Sequence, residues 1–384
     1  MSTDTTVRLG IVGLGNIAAQ HLAYIREGEV PGCEVTALCS RQASPLSSES
    51  GLPHFNDYRQ LIDSGLCNAV LVATPTFTHF EVGKAVLDAG LHLMMEKPIG
   101  LSVQEGEQLL ARQTQEQVFA LMLNQRADPL FTLIRDILQE GRIGPITRTQ
   151  WTMTNWFRPE VYFQVSDWRA TWRGEGGGLL VNQCIHNLDI FQWLCGMPEQ
   201  VSAWCEFGKY HDIEVEDEAT AYLRYAGGAT GMFVGSTGEA PGVNRLDIIG
   251  DRGSLHFDGE RLKQVLNSPA TSDYNRDTRD MFGMPDTEVS DITPERSVNQ
   301  HAHIMRNFVA AIQSGEELVA PAAQGLDSLA LANSMLLSTW LGAPVNLPLD
   351  AAAYQTQLEQ RLANSQLREK ADIQANIDMS QSYR

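Results

Sequence analysis

The chain has 384 residues, with 28 Lys and Arg against 47 Asp and Glu, a formal net charge of −19. Hydrophobic residues make up 43% and charged residues 20%, which excludes wholesale disorder, provides for a sizeable core and, at this length, suits two domains. So acidic a surface repels phosphate backbones and argues against nucleic-acid binding, though not against a local phosphate pocket of backbone N–H groups and one arginine.

Six cysteines, Cys33, Cys39, Cys67, Cys184, Cys195 and Cys205, form no Cys-x-x-Cys pair. Neither a disulfide scaffold nor a zinc finger is expected, and a reducing, cytoplasmic location is the simpler reading. The polar stretch Met1–Thr6 does not read as a secretory leader. No run of about 18 apolar residues offers a membrane span.

The first third alternates short apolar runs with helical stretches. Strands are expected at Val7–Val12, Glu34–Cys39, Ala69–Ala73, Leu91–Met95 and Val118–Met122. Helices are expected at Ile17–Arg26, Tyr58–Asp63, Thr78–Ala89 and Val103–Thr114. Strands apolar on both faces and separated by helices predict a parallel, doubly wound α/β sheet. Between the first strand and helix stands Gly13-Leu14-Gly15-Asn16-Ile17-Ala18. Gly13 permits a tight turn, Gly15 lets a pyrophosphate approach the backbone, and Ala18 keeps the third position small for helix–strand packing. The helix N-terminus then offers N–H groups to phosphates, and the context points to a dinucleotide.

The second strand ends in Leu38-Cys39-Ser40-Arg41, without the acid that would bond a ribose 2′-OH. Ser40 and Arg41 suit a 2′-phosphate, which favours NADP, with NAD as the alternative. Val72–His79 and Met95-Glu96-Lys97-Pro98 also end parallel strands, where ligands bind in open α/β sheets. Glu96-Lys97-Pro98 reads either as a surface salt bridge or as a lysine beside the nicotinamide. The expected cofactor shell is Gly13, Gly15, Asn16, Ile17, Ser40, Arg41, Thr74, Pro75, Thr76, His79, Glu96, Lys97 and Asn124.

The pattern changes near Asn124. Alternating runs at Thr147–Thr154, Gln200–Phe207, Ala219–Tyr225, Thr230–Ser236, Leu246–Ile249 and Gly253–Phe257 predict a large open, mostly antiparallel sheet with one exposed face. Helices are expected near Leu180–Leu194 and His301–Ser314. The polar stretch Asn267–Pro294 reads as a loop, and Ala351–Gln374 as a tail helix by propensity. The expected organisation is a dinucleotide-binding Rossmann domain over 1–125, a substrate-binding and oligomerisation α+β domain over 126–350, and a helical tail over 351–384.

Gly176-Gly177-Gly178 leads towards Asn182, His186 and Asp189, whose i, i+4, i+7 spacing predicts one helical face. A hydrogen-bonded core histidine and an active-site histidine both fit that stripe. The acidic run Glu214–Glu218 reads as a solvated lead-in to a strand. His301 and His303 diverge on a helix, so no metal site is expected. No Gly-x-Ser-x-Gly hydrolase signature is present.

In order and spacing, the glycine fingerprint, Glu96-Lys97-Pro98 and the Gly176-Gly177-Gly178…His186-x-x-Asp189 stretch resemble the Gfo/Idh/MocA oxidoreductases, over about residues 7–345. The resemblance implies a Rossmann domain followed by an α/β domain with a large open sheet. It implies NAD(P)-dependent redox chemistry on sugars, sugar derivatives or cyclitols, and homodimers or homotetramers built through the sheet. It also implies that Lys97 and His186 are the active-site lysine and histidine. Asn182 stands where many members carry aspartate; asparagine orients a histidine without charging it, which leaves open whether Lys97 or His186 accepts the proton.

The segment Trp168-Arg169-Ala170-Thr171-Trp172-Arg173 resembles members acting on glycosides and sugar-nucleotide acids. The expected substrate residues are Arg126, Trp156, Trp168, Arg169, Trp172, Asn182, His186 and Asp189, with Trp172 reading equally as domain core. A reversible dehydrogenase is the expected activity. One rival is an enzyme that retains its NAD(H) and uses a transient ketone for elimination, epimerisation or glycoside cleavage. The other is a non-catalytic NADP sensor or scaffold.

Overall fold

The apolar runs of the first third assemble into one parallel sheet. In the computed structural model, which describes residues 6–42, 44–294 and 298–368, the strands are β1 Val7–Val12, β2 Cys33–Cys39, β3 His54–Phe55, β4 Ala69–Val72, β5 His92–Met95 and β6 Phe119–Leu121. Their order is β3-β2-β1-β4-β5-β6, so the chain reverses direction across the sheet between β1 and β4. All four residues of β4 are buried, as a central strand covered on both faces requires. Helices Asn16–Arg26, Tyr58–Asp63, His79–Asp88 and Val103–Leu110 make the crossovers. Asp57 and Ser102 cap two of them by accepting the N–H groups of Arg59 and Glu105. This compact unit runs to Asp128 and takes in Gly174–Gly176 and Val298–Leu329, including all of helix Gln300–Ser314 and its Asn299 cap.

The second unit comprises Pro129–Arg173, Gly177–Ser297 and the chain from Ala330. Among the described residues its strands are β7 Ile146–Met153, β8 Gln200–Phe207, β9 Glu216–Arg224, β10 Thr230–Ser236, β11 Asn244–Gly250, β12 Gly253–Phe257, β13 Leu262–Ser268, β14 Asp286–Ile292 and β15 Val345–Asn346. They run in the order β14-β13-β12-β11-β7-β10-β9-β8-β15, antiparallel except where β7 meets β10. Alternation sends Trp151, Phe233 and Leu246 inward. Helices Pro129–Gln139 and Ile185–Cys195 pack there through Phe131 and Phe191, whose rings lie 5.9 and 6.1 Å from Trp151.

Three expectations need correction. The helix expected from Leu180 begins at Ile185; residues 179–184 are hydrogen-bonded turns, in which the Asn182 N–H donates to the Gly178 carbonyl. Asn182 therefore does not share a helical face with His186 and Asp189. Asn267–Pro294 is not a loop: it holds the end of β13, helix Thr271–Asp277 and edge strand β14. Every residue of β14 except Ile292 is exposed, so no hydrophobic alternation marks it, and its acidic side chains discourage pairing with another edge. The tail helix spans Ala351–Asn364, and the part of the expected tail from 369 onward lies outside the described residues. Helices Pro129–Gln139 and Ala322–Leu341 were not anticipated. Among the described residues, no helix is long and apolar enough to cross a membrane.

Candidate active site

Register brings the strand ends of the first unit into one row. Cys39 pairs with Val12, Val12 with Val72, Val72 with Met95, and Met95 with Leu121. The residues that follow, Ser40, Gly13, Ala73, Glu96 and Met122, therefore line the carboxyl edge of the sheet at its topological switch point. Backbone bonds fix that edge: Gly13 donates to Cys39, Ala73 to Val12 and Glu96 to Val72.

Gly13 has φ +95°, and a Cβ there would stand 2.5 Å from the Ala73 carbonyl oxygen. Only glycine fits. At exposed Gly15 a Cβ would meet nothing within 4 Å, and no side chain caps the helix that starts at Asn16. Ala18 is fully buried against the sheet, while Asn16 is exposed and Ile17 partly so. Asn124, in the turn after β6, donates to Gln300 at 2.8 Å, and its buried Oδ1 has no protein partner. An open glycine cradle, an uncapped helix start and an orphaned buried acceptor on one edge fit a dinucleotide.

Other expected residues are held more tightly. The Ser40 hydroxyl donates to the Gln42 carbonyl at 2.6 Å and lies 3.0 Å from His54 Nε2, whereas Arg41 is exposed. The Thr74 hydroxyl accepts from Thr78, and Thr76 is buried in the short turn after Pro75. His79 is buried, with Nδ1 2.8 Å from the Pro98 carbonyl oxygen and Nε2 2.8 Å from that of Thr74. Arg126 is buried in this unit and donates to the Val319 carbonyl and to Gln324.

Glu96 accepts from His21 Nε2 at 2.8 Å, and the His21 ring lies 5.8 Å from that of His301. Burial pushes the Glu96 carboxyl up, but the His21 bond and the charges of His21, His301 and Lys97 outweigh it and hold Glu96 below the usual carboxylate range. Burial lowers His301 to about 4, against the pull of Glu96. An unfolded chain takes up that proton near its ordinary histidine value, whereas the folded chain refuses it until about pH 4. Stability is thus whole above about pH 6.5 and falls as pH drops towards 4, by up to about 3 kcal/mol from this group. His301→Leu should flatten the slope of unfolding free energy against pH between 6.5 and 4. Denaturant titrations at pH 7 and 4.5 check it, and an unchanged slope would count against the assignment.

In the second unit, Gly177 and Gly178 lead through the turns to helix Ile185–Cys195, which carries half-buried His186 on its first turn. Asp189 is buried on that helix and accepts from Gln192 at 3.1 Å. Asn187, next to His186, accepts from Trp156 Nε1 at 2.9 Å, and the Arg158 guanidinium stands over the Trp156 ring. The Arg169 guanidinium contacts the rings of Trp168 and Tyr162, 4.5 and 4.6 Å from their centroids. The Tyr162 hydroxyl accepts from Arg169 at 2.8 Å and from Gln183 at 3.2 Å. Trp172 is buried against Trp340 and Phe207, as a core side chain is.

The acidic run is not a solvated lead-in: Glu216 and Asp217 are each 1% exposed. Both Glu216 carboxylate oxygens lie 2.9 Å from the Gly178 N–H nitrogen, and one also accepts from Leu180 at 2.9 Å. The Glu216 carbonyl accepts from Leu179. A Cβ at Gly178 would stand 2.3 Å from that carbonyl oxygen. Asp217 gathers the N–H groups of Lys209, Tyr210 and His211 together with the His211 ring, whose other nitrogen faces the Arg158 carbonyl. Sequence reasoning missed these two acids, along with Tyr162 and Gln183. The only available signal was a run of acids that begins a strand opposite a glycine triplet.

Comparison with known proteins agrees with this layout. A family model described as "Oxidoreductase family, NAD-binding Rossmann fold" matches residues 7–124, and one for the GFO/IDH/MocA C-terminal domain matches 131–256. Inositol 2-dehydrogenase of Rhizobium meliloti is 24% identical over 345 residues, covering 87% of this chain and 97% of that one. Levoglucosan dehydrogenase of Pseudarthrobacter phenanthrenivorans is 27% identical over 247 residues, 58% of this chain and 63% of that one. The WlbA dehydrogenase from Bordetella pertussis, solved with NADH and UDP-GlcNAcA, superposes with a TM-score of 0.74 at 24% identity, covering 90% of this chain and all of that one.

Proposed function

The chain belongs to the Gfo/Idh/MocA oxidoreductase family, with its NAD-binding Rossmann domain, and from that premise we propose that it transfers a hydride between a nicotinamide cofactor and a hydroxyl or keto group of a sugar, sugar derivative or cyclitol. The observation that carries this reading is the single row of strand ends on which the glycine turn, the Thr74 loop and Lys97 follow one another. Inositol 2-dehydrogenase and levoglucosan dehydrogenase among the relatives support the substrate class. A panel of sugars, sugar acids and cyclitols, screened with both cofactors, should give a keto product for at least one compound. Failure with every class would defeat the reading.

When bound, the nicotinamide supplies the hydride chemistry. His186 takes the proton of the substrate hydroxyl. Lys97, at the end of its strand on the same sheet edge as the glycine turn, stabilises the charge that develops on the substrate. Trp168 and Arg169 offer a ring face and a guanidinium to the sugar.

NADP is the preferred cofactor on this reading. With the Ser40 hydroxyl already donating to Gln42, the 2′-phosphate falls to exposed Arg41. Arg41→Ala should weaken NADP binding roughly ten- to a hundredfold and NAD binding little, the effect of losing one charge-assisted bond. Calorimetric titration of both cofactors decides it, and equal weakening would remove the preference.

The chain works as a homo-oligomer through the outer face of the large sheet. Trp204, Tyr222 and Met232 are 66%, 42% and 40% exposed on β8, β9 and β10, and Tyr222 and Met232 are register partners. Such a cluster marks an association surface. Light scattering at micromolar concentration should give a multiple of the 42.4 kDa chain mass. A monomer would refute it.

A further inference from the structure

Lys97 stands between two residues that buried histidines hold. On one side, His21 from helix Asn16–Arg26 meets the Glu96 carboxylate at 2.8 Å, with the His21 side chain fully buried. On the other, His79 meets the carbonyl oxygen of buried Pro98 at 2.8 Å. The other ring nitrogen of His79 stands 2.8 Å from the Thr74 carbonyl oxygen, so this one side chain lies between the loop after β4 and the residue after the lysine. Each helix starts where a cofactor loop ends. Asn16 follows the Gly13–Gly15 turn, and His79 follows Thr74-Pro75-Thr76-Phe77-Thr78. Burial raises the stakes of both contacts, because a buried polar group that loses its partner keeps the full cost of desolvation.

We propose that His21 and His79 are positioning residues for Lys97, tying its two flanks to the helices that begin at the cofactor loops. Cofactor binding and lysine placement then share one frame. The inference rests on the role given to Lys97 above. Neither histidine is asked to touch substrate; both act through where the lysine stands. A catalytic group misplaced by about 1 Å loses on the order of a hundredfold in rate.

The test is a double-mutant comparison on the full chain. His79→Gln and His21→Gln are each made in the wild-type background and in Lys97→Ala, with kcat measured at saturating cofactor and normalised to sites that bind it. If the histidines act through Lys97, each should cost roughly ten- to a hundredfold in the wild-type background. In Lys97→Ala, where nothing remains to position, the same change should cost less than about twofold. Should a glutamine variant fail to fold, His79→Asn and His21→Asn carry the same comparison. Equal losses in both backgrounds would mean general damage and overturn the inference, as would rates within about twofold of wild type throughout. Lys97→Ala at full rate would overturn the reading of the site itself, an outcome distinct from equal losses.

Discussion

His186→Ala and Lys97→Ala are each expected to lower kcat by roughly 10²–10⁴-fold, the range of general acid–base and charge-stabilising groups. Cofactor affinity should change far less, because neither side chain belongs to the glycine turn or to the Arg41 position. His186 sits on the first turn of its helix and is half-buried, which suits a group that must meet solvent or substrate in one protonation state and give the proton up in the other. Steady-state kinetics with cofactor binding measured separately will distinguish the roles. Near-wild-type turnover in His186→Ala would remove His186 from the reaction and leave Lys97 as the base.

Glu216→Ala should be the most damaging change away from the reacting groups. Its carboxylate is the buried acceptor for the N–H groups of Gly178 and Leu180, at the turns that lead to the His186 helix. Leaving two buried N–H groups unsatisfied costs about 1–3 kcal/mol each, so a loss of roughly 2–6 kcal/mol is expected. Gly178→Ala attacks the same joint from the other side. The new Cβ would stand 2.3 Å from the Glu216 carbonyl oxygen, which cannot retreat without stretching the bond from Leu179. Both variants should unfold at lower denaturant and lose turnover by misplacing His186. A midpoint within error of wild type for Glu216→Ala would show that the carboxylate is dispensable.

The parallel sheet was legible because its strands are apolar on both faces and interrupted by helices of opposite periodicity. Val7–Val12 and Ala69–Val72 have no other reading. Helix Ala322–Leu341 was not legible for the mirror-image reason. Residues 331–338 are all buried, Asn333, Ser334 and Ser338 included, so no polar stripe gives the 3.6-residue period away. Strand β14 failed from the other extreme, being exposed almost throughout. Asn182 was misplaced onto a helix because spacing alone cannot tell an α-helical turn from the consecutive turns that precede Ile185.

The candidate site divides along a similar line. Residues whose role follows from the backbone, such as Gly13 at φ +95°, announce themselves in sequence. Residues whose role depends on a distant partner do not. Glu216 looks like a surface acid until Gly178, 38 positions away, is seen to donate to it. His21, in the middle of its helix, carries no motif, and His79 was expected in the cofactor shell; only their contacts with Glu96 and Pro98 link them to the lysine between.

The most direct measurement of the central claim is the stoichiometry of cofactor reduction against ketone formation during turnover of a sugar, sugar acid or cyclitol. The account predicts one reduced nicotinamide for each hydroxyl oxidised, released into solution, with both signals lost together in His186→Ala. Conversion of the substrate without net reduction of free cofactor would contradict it, since the enzyme would then be closing its redox cycle internally.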